Sequence, residues 1–388
     1  MGHAAIIYLA SDPSAERASP RPVRRYGAAV PIDRLVPGSG DQDAPGLDLS
    51  LLMPWLDRAR PGLRRGVLRG ALLAGGRSNL TYALDDDVHR WVLRRPPLGH
   101  VLATAHDMSR EFRVISALHR HATTGRGGIP VPEPVVLCED DSPLGVPFYL
   151  MERVDGVVLR TRADLLRVPE AERPALGNRL VDTLAALHAV DPDVAGLAGF
   201  GRPDGFTSRQ LVRWSHQLEA SRSREVAGID DLRDRLVADV PVAQRATVVH
   251  GDFRLDNLLM RPDEWQLAAV LDWEMAALGD PMTDLGLMLV YWGNGSGADG
   301  ALRAVADTPS SVPGFAAGQE LAARYADATG LDLDRLPWYA AFGYFKLAVI
   351  LEGIHYRFAH GQTVGSGFER IGAVVPALVA AGHDALTG

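Results

Sequence analysis

The stretch that decides the fold lies at residues 248–284 and reads VVHGDFRLDNLLMRPDEWQLAAVLDWEMAALGDPMTD. Two valines lead into a tight turn that ends in Asp252, and Asn257 follows five residues later, before an apolar strand. A second predicted strand, Leu267–Leu271, ends directly in Asp272. Because strands joined by a hairpin bring their ends together, these three polar side chains can converge. Hard oxygen ligands of this kind suit Mg²⁺, which usually completes its shell with water and phosphate oxygens.

A simpler interpretation makes each of these residues an ordinary turn residue, because Asp and Asn favour turns. That interpretation suits any one of them taken alone. It does not account for the whole pattern, in which Asp252, Asn257 and Asp272 each stand at the end of an apolar strand. The pattern therefore predicts a site for a metal and phosphate groups.

The composition is that of an ordinary globular chain. The 388 residues are 47% hydrophobic and 23% charged, which excludes a wholly disordered, collagen-like or coiled-coil protein. The net charge of −8 argues against a general nucleic-acid binder, since phosphate neutralisation needs a basic surface. No apolar run reaches the roughly 18–20 residues of a membrane span, and Cys138 is the only cysteine. We therefore expect a cytoplasmic protein with no disulfide, no nucleic-acid partner and no membrane partner.

The basic residues are almost all arginine. Of the 40 Lys and Arg residues, only Lys346 is lysine. A mechanism that needs a lysine must therefore use Lys346 or substitute an arginine. Lys346 lies in the middle of a predicted helix, about 60 residues after Asp284, and we interpret it as structural.

The chain divides into three parts by pattern. Residues 1–48 are rich in Pro, Gly, Asp and Arg and are predicted to form a flexible arm. Residues 49–152 combine strand patterns with one helix, and residues 153–388 are mostly helical in pattern. This α+β arrangement predicts a small β-rich N-lobe and a larger helical C-lobe, with a ligand between them. The predicted helices are Leu49–Asp57, Ser109–His121, Pro174–Val190, Thr207–Ser221, Asp230–Asp239, Phe315–Thr329, Leu336–Phe358 and Phe368–Ala381, and the predicted N-lobe strands are Gly66–Leu73, Asn79–Leu84, His89–Arg94, Pro134–Cys138 and Pro147–Glu152.

The motif H-G-D-x-x-x-x-N at residues 250–257, followed by L-D-W-E-x-A at residues 271–276, resembles the aminoglycoside phosphotransferase family. That resemblance implies a protein-kinase-like two-lobe fold and phosphoryl transfer from ATP, with GTP not excluded, to a hydroxyl group. It implies that Asp252 orients and deprotonates the acceptor hydroxyl. It also implies that Asn257 and Asp272 hold Mg²⁺ on the nucleotide phosphates, while His250 braces the turn.

The resemblance extends through the predicted N-lobe, where it implies the nucleotide-binding residues. Protein kinases carry a lysine on the third strand, and this chain has none there. Arg94 is the candidate for the phosphate contact, with Arg95 as the alternative because strand alternation places the two on opposite faces. Glu111 matches the acid that pairs with this basic residue. The residues implied to bind nucleotide are Gly76, Arg77, Ser78 and Asn79 in a glycine-containing loop, Arg94, Glu111, and at the adenine-binding hinge Met151, Glu152 and Val154.

A narrower resemblance concerns the acceptor. The stretches GGRSNLTY, VLRRPP, FRVISAL, GVPFYLMERVDG, RQLVRWSHQLEAS and FKLAVILEGIHYR look like kinase-type domains related to those fused to some acyl-CoA dehydrogenases. That branch implies a hydroxyacyl-CoA as the acceptor. An antibiotic phosphotransferase, acting on an aminoglycoside or another natural product and conferring resistance, is one alternative. A nucleotide-binding pseudokinase is another, although Asp252, Asn257 and Asp272 are all present.

The acceptor side of the cleft is predicted on the helix Thr207–Ser221. Arg209 and Arg213 are four residues apart and share a helix face, and Trp214 flanks it. The alternative is that Trp214 packs in the core while both arginines are solvated. A small-molecule hydroxyl compound is the expected partner, and the oligomeric state stays open.

Overall fold

The computed structural model describes residues 44–73, 79–98, 107–125, 127–293, 307–361 and 368–387. Within them, a five-stranded antiparallel sheet with its helices forms a small lobe, and a helical lobe follows. This confirms the predicted α+β class with two lobes of unequal size. The glycine-containing loop residues Gly76, Arg77 and Ser78 lie outside the described residues.

The N-lobe is built around an antiparallel sheet with strand order β1-β2-β3-β5-β4. Helix α1 precedes the sheet, and α2 lies between the third and fourth strands along the chain. The elements are α1 (Leu49–Ala59), β1 (Arg69–Leu72), β2 (Leu80–Asp85), β3 (Arg90–Arg95), α2 (Met108–Thr123), β4 (Pro134–Cys138) and β5 (Phe148–Glu152).

The hairpin between β2 and β3 sets the strand register that matters for the site. The buried carboxylate of Asp86 accepts hydrogen bonds from the backbone amides of Val88 and His89, which closes the turn. In the resulting register, Thr81 pairs with Arg94. Trp91 then faces the small core of the N-lobe, and Arg94, an odd number of residues further along, points to the opposite face.

The C-lobe combines helices with two short two-stranded antiparallel sheets. Strands β6 (Thr247–Val249) and β9 (Ala277–Gly279) pair with each other, as do β7 (Leu258–Arg261) and β8 (Gln266–Val270), and only β7 and β8 form a hairpin. The H-G-D turn follows β6, and Asp272 follows β8. The helices are α3 (Arg162–Arg167), α4 (Arg173–His188), α5 (Phe206–Ala220), α6 (Ile229–Ala238), α7 (Met282–Trp292), α8 (Gly318–Thr329), α9 (Leu336–Ala359) and α10 (Ile371–Ala385).

Helix α9 is the central helix of the C-lobe. Every residue from Trp338 to Ile354 is buried, because α5, α6, α7 and α10 all pack against it. Lys346 therefore stands in the middle of a continuous buried run. Among the described residues, none of the helices combines the length and apolarity that crossing a bilayer requires.

The end of the predicted N-terminal arm belongs to the N-lobe. Leu47 is only 1% exposed and packs with Leu52, Leu56 and Tyr82. The Tyr82 hydroxyl donates a hydrogen bond to the Pro45 carbonyl at 2.5 Å. Periodicity did not reveal this because an irregular segment contributes single apolar side chains to a core without any repeat.

The packing of Leu47 predicts a large loss of stability on truncation. Leu47→Ala should lower the free energy of unfolding by about 2–5 kcal/mol, since it leaves a cavity in a closed core. Leu51→Ala on α1 is the matched control, because Leu51 is 51% exposed and its truncation should change little. Urea unfolding of both variants tests this, and equal effects would show that Leu47 is not part of the core.

Candidate active site

One buried carboxylate anchors the backbone of the H-G-D turn. Asp284, on the first turn of α7, accepts hydrogen bonds from the His250 amide at 2.6 Å and the Gly251 amide at 2.8 Å. The His250 ring donates through Nε2 to the Leu271 carbonyl at 2.8 Å and accepts the Asp252 amide at Nδ1. His250 therefore braces the turn, as the sequence indicated.

A second histidine supports this carboxylate. His188 Nε2 lies 3.3 Å from an Asp284 oxygen, and its Nδ1 lies 2.6 Å from the Tyr325 hydroxyl. Burial lowers the pKa of His188 and outweighs the opposing effect of Asp284. Burial alone would raise the pKa of Asp284, but the hydrogen bonds from His188 and the His250 amide outweigh it and lower that pKa. Asp284 is thus kept as a carboxylate that orients the turn.

Gly251 is required by the geometry of the turn. Its φ of +84° lies in the left-handed region that favours glycine. A Cβ atom there would lie 2.7 Å from the Met275 carbonyl oxygen, closer than real contacts allow. The H-G-D turn and the segment after Asp272 are therefore packed backbone against backbone.

Asn257 is hydrogen-bonded directly to Asp252, the residue predicted to be the base. Its Nδ2 donates to the Asp252 carbonyl at 2.8 Å and to Asp252 Oδ2 at 3.0 Å. Its own carbonyl accepts the Leu271 amide at 2.8 Å, which joins the two halves of the motif. This use of Nδ2 leaves the Asn257 Oδ1 oxygen for a cation.

Asp272 lies at the end of a buried chain of charges. It adopts a left-handed φ of 66°, and its Oδ1 lies 3.1 Å from the Arg94 guanidinium. The same Arg94 nitrogen lies 3.3 Å from Glu111 on α2. Burial alone would lower the pKa of Arg94, but Glu111 and other nearby acids outweigh it and raise that pKa well above the usual range. Arg94 therefore stays charged between two acids.

The structure separates the two candidate arginines of β3. Arg94 faces Glu111 and the C-lobe, whereas Arg95 donates to the Gly46 and Leu144 carbonyls on the other face of the sheet. Of the two, only Arg94 contacts Asp272.

The other residues predicted to bind nucleotide, Asn79, Met151, Glu152 and Val154, lie near the junction of the lobes. Asn79 is buried, and its Nδ2 donates to Glu274 Oε2 at 3.1 Å, so its side chain links the lobes. At the hinge, the Glu152 amide already donates to the Glu133 carbonyl, and the Met151 side chain is buried. Within the described residues, the Val154 amide has no hydrogen-bond partner.

The predicted acceptor residues separate into different roles. Trp214 is only 1% exposed, so its ring belongs to the core, as the alternative interpretation held. Arg209 donates to the Asp204 and Arg202 carbonyls of its own loop. Arg213 lies at the surface, 5.7 Å from the Trp214 ring, and both arginines line a shallow depression with Ser208, Val212 and His216.

Two cations beside Asp252 were not assigned from the sequence. Arg254 is 3% exposed; its Nε lies 3.4 Å from Asp252 Oδ2 and its guanidinium lies over the Tyr291 ring. Lys346 donates from α9 to the Gly251 carbonyl. Arg254 was visible as the only basic residue inside the motif, whereas nothing in the sequence links Lys346 to this turn.

The oxygen donors suit a hard divalent cation that is completed by a substrate. Asp272 supplies a carboxylate and Asn257 a carboxamide oxygen, which are ligand types that Mg²⁺ prefers. Among the described residues, no group of three or more His, Cys, Asp or Glu side chains is arranged to hold a metal by itself. The residues present therefore fit Mg²⁺ bound together with nucleotide phosphates.

The fold is that of the aminoglycoside phosphotransferases, which are kinase-like. The chain belongs to the phosphotransferase enzyme family, whose model matches residues 69–339. That match spans the N-lobe sheet, the H-G-D turn and the start of α9, and it ends before Lys346.

Individual relatives place the chain within this family. Acyl-CoA dehydrogenase family member 11 from Gallus gallus is 32% identical over 350 residues, which are 87% of this chain and 43% of that protein. The chain spans less than half the length of the acyl-CoA dehydrogenase family members it matches. The crystal structure of a putative aminoglycoside phosphotransferase from Ralstonia eutropha is 30% identical with a TM-score of 0.72, covering 88% of this chain and 98% of that chain. The GDP complex of aminoglycoside 2'-phosphotransferase-IIIa shares the fold at 14% identity and a TM-score of 0.55, covering 87% and 99%.

The lowered pKa of His188 predicts a specific dependence of stability on pH. The unfolded chain takes up a proton at this residue near pH 6.5, and the folded protein does so only at lower pH. Its contribution to stability is therefore complete above pH 6.5 and is lost as the pH falls. It cannot exceed about 1.4 kcal/mol per pH unit.

Urea unfolding at pH 7.5 and 5.5, in wild type and in His188→Gln, measures this contribution. The other histidines act alike in both proteins, so the wild type should lose more stability than the variant. Identical losses would contradict the buried, uncharged state of His188.

Proposed function

We propose that this protein is an ATP- and Mg²⁺-dependent O-phosphotransferase that acts on a hydroxyl group of a small molecule. The proposal rests on the hydrogen bond between the side chains of Asn257 and Asp252, which lies in the same site as the ion pairs of Arg94 with Asp272 and Glu111. One end of this site offers a carboxylate to a hydroxyl group. The other end offers a charged arginine and cation ligands to phosphates, which is what phosphoryl transfer by positioning requires.

Asp252 is the group that receives the proton. Its Oδ2 accepts a hydrogen bond from Asn257, which fixes the direction in which the carboxylate faces. The acceptor hydroxyl gives its proton to Asp252 as its oxygen forms a bond to the γ-phosphorus. The bond between that phosphorus and the bridging oxygen of ATP breaks, and ADP leaves with the electron pair.

Arg94 and the hinge hold the nucleotide in this proposal. The buried guanidinium of Arg94 can bind phosphate oxygens through two N–H groups, while Glu111 keeps it oriented. The Val154 amide offers a hydrogen bond to a purine edge. A bound Mg²⁺, held by Asn257 and Asp272, would neutralise phosphate charge and orient the γ-phosphoryl group. The nucleotide in the related GDP complex supports nucleotide binding in this fold.

We infer that the acceptor is anionic, with a hydroxyacyl-CoA as the first candidate. The names of the acyl-CoA dehydrogenase relatives support this class. Residues 201–240 contain seven Arg against seven Asp and Glu, a balance that does not suit a polycationic aminoglycoside. Arg213 supplies positive charge at the depression on α5. An antibiotic or another natural product is the second candidate, because the similar structure from Ralstonia eutropha is a putative aminoglycoside phosphotransferase.

The proposed function is tested by incubating the purified chain with Mg·ATP and a panel of hydroxyacyl-CoA esters, macrolides and aminoglycosides. Mass spectrometry should detect a product that is heavier by one phosphoryl group, together with ADP. Binding of ATP without any turnover across the panel would indicate a pseudokinase. Absence of nucleotide binding would overturn the proposal altogether.

A matched pair of variants separates the base from the cation ligand. Asp252→Asn should lower kcat by about 10²–10⁴-fold, the usual contribution of a positioned base, and leave the Kd for Mg·ATP within twofold. Asp272→Asn should instead weaken Mg·ATP binding by tenfold or more. Asn tolerates the left-handed backbone of Asp272, so this change tests the charge rather than the fold.

Calorimetry and steady-state kinetics on both variants give the two readouts. If Asp252→Asn keeps most of its turnover, Asp252 is not the base. If Asp272→Asn binds Mg·ATP normally, the cation is held elsewhere.

Charge reversal at Arg213 tests the class of acceptor. Arg213→Glu should raise the KM for an anionic CoA ester by about tenfold, since a charged hydrogen bond is worth about 1.5–3 kcal/mol, and leave the KM for ATP unchanged. The effect should shrink at high salt, because a surface electrostatic contact is screened. Arg222→Glu is the matched control: it changes net charge equally, but Arg222 lies past the end of α5 and pairs with Glu219 and Asp230. Equal effects of both variants would remove the reason for an anionic acceptor.

A further inference from the structure

Lys346 occupies an unusual place for a charged residue. It is the only lysine among 40 basic residues, and it lies in the middle of the buried central helix α9 with 7% exposure. The charge is expensive there, because an ammonium group in a low-dielectric interior loses its hydration. At every other basic position this chain uses arginine, so the lysine marks a place where a compact donor is needed.

The surroundings of Lys346 all belong to the candidate site. Its ammonium group donates to the Gly251 carbonyl, the backbone group immediately before Asp252. It lies 5.4 Å from the centre of the Trp214 ring, which α5 contributes. The carboxylates of Asp252 and Asp284 and the guanidinium groups of Arg213 and Arg254 face it electrostatically.

We propose that Lys346 is a positioning residue for the Asp252 base, which it fixes through the Gly251 carbonyl and couples to the acceptor helix α5 through the Trp214 ring. The inference rests on the proposed phosphotransferase function and deepens it. Asp284 holds the amides of the H-G-D turn from one side, and Lys346 holds a carbonyl of the same turn from the other. The two residues before Asp252 are thereby held by three hydrogen bonds: the amides of His250 and Gly251 donate to Asp284, and the Gly251 carbonyl accepts from Lys346.

The geometry favours lysine over arginine at this position. The ammonium group is a compact point donor at the end of a flexible stem, whereas a guanidinium group is a broad planar fork. Arg213 and Arg254 already bring two guanidinium charges close enough to act electrostatically on this ammonium group. The ammonium group of Lys346 also interacts electrostatically with the Asp252 carboxylate. Burial lowers the pKa of Lys346 to about 8, although Asp252 and Asp284 oppose this effect.

Two substitutions test the role in turnover. Lys346→Met keeps the length and removes the charge, and it should lower kcat at least tenfold while the KM for ATP stays within twofold. Arg173→Met is the matched control: Arg173 is also 7% exposed, donates to the Val168 and Pro313 carbonyls and lies 6.0 Å from the Phe315 ring, all outside the site. It should lower thermal stability without changing kcat. A kcat of Lys346→Met within twofold of wild type, or an equal fall in Arg173→Met, would overturn the proposal.

A spectroscopic measurement tests the contact without any turnover. Protein labelled with ¹³Cε-lysine carries one lysine side-chain signal, because the chain has one lysine. That signal should titrate with a midpoint near 8 in wild type, and at lower pH in Asp252→Asn, since the carboxylate that favours the ammonium form is gone. A midpoint that Asp252→Asn leaves unchanged would overturn the coupling between Lys346 and the base. An inactive wild type with the expected titration would contradict the proposed function and leave the positioning contact intact.

Discussion

The buried bridge that Arg94 makes between Glu111 and Asp272 is the interaction on which the rest of the site depends. It joins strand β3 and helix α2 of the N-lobe to the segment after β8 in the C-lobe, through N–O distances of 3.3 Å to Glu111 and 3.1 Å to Asp272. Without the guanidinium group, the buried carboxylate of Glu111 would lose its charged partner, and removing one partner of a buried ion pair costs about 3–5 kcal/mol. Arg110 on the same helix adds hydrogen bonds to the Phe200 and Ala276 carbonyls. The relative position of the lobes is thus set by arginines that satisfy C-lobe acceptors.

Local patterns were sufficient to predict most of the architecture. Helix α9 was predicted as Leu336–Phe358 and runs to Ala359, and the N-lobe strands fall within a few residues of their predicted places. Strand alternation also separated Arg94 from Arg95, because the side chains of a strand alternate between two faces. Strand β9 was missed, since three residues contain too little pattern to detect. The roles of Asp252, Asn257 and Asp272 stay predictions, although the structure brings them into one site.

The parts of the site that the sequence did not reveal depend on contacts between distant segments. Asp284 accepts a hydrogen bond from the amide of His250, which lies 34 residues before it in the chain. Lys346 donates to the carbonyl of Gly251, which lies 95 residues before it. A helical pattern identifies the face of α9 that is buried, and it cannot identify which loop that face covers. Trp214 shows the opposite error, because an aromatic residue beside two arginines resembled a ligand contact and is instead a core side chain.

The close approach of Gly251 to the Met275 carbonyl has a consequence for protein engineering. A substituent at position 251 would have to displace the backbone that follows Asp272, so the two halves of the motif form one steric unit. A designer who transplants the H-G-D loop into another scaffold must therefore transfer the D-W-E-M segment with it. Libraries that diversify the exposed residues of α5 can keep this unit unchanged, because the close neighbours of Gly251 are atoms of Met275.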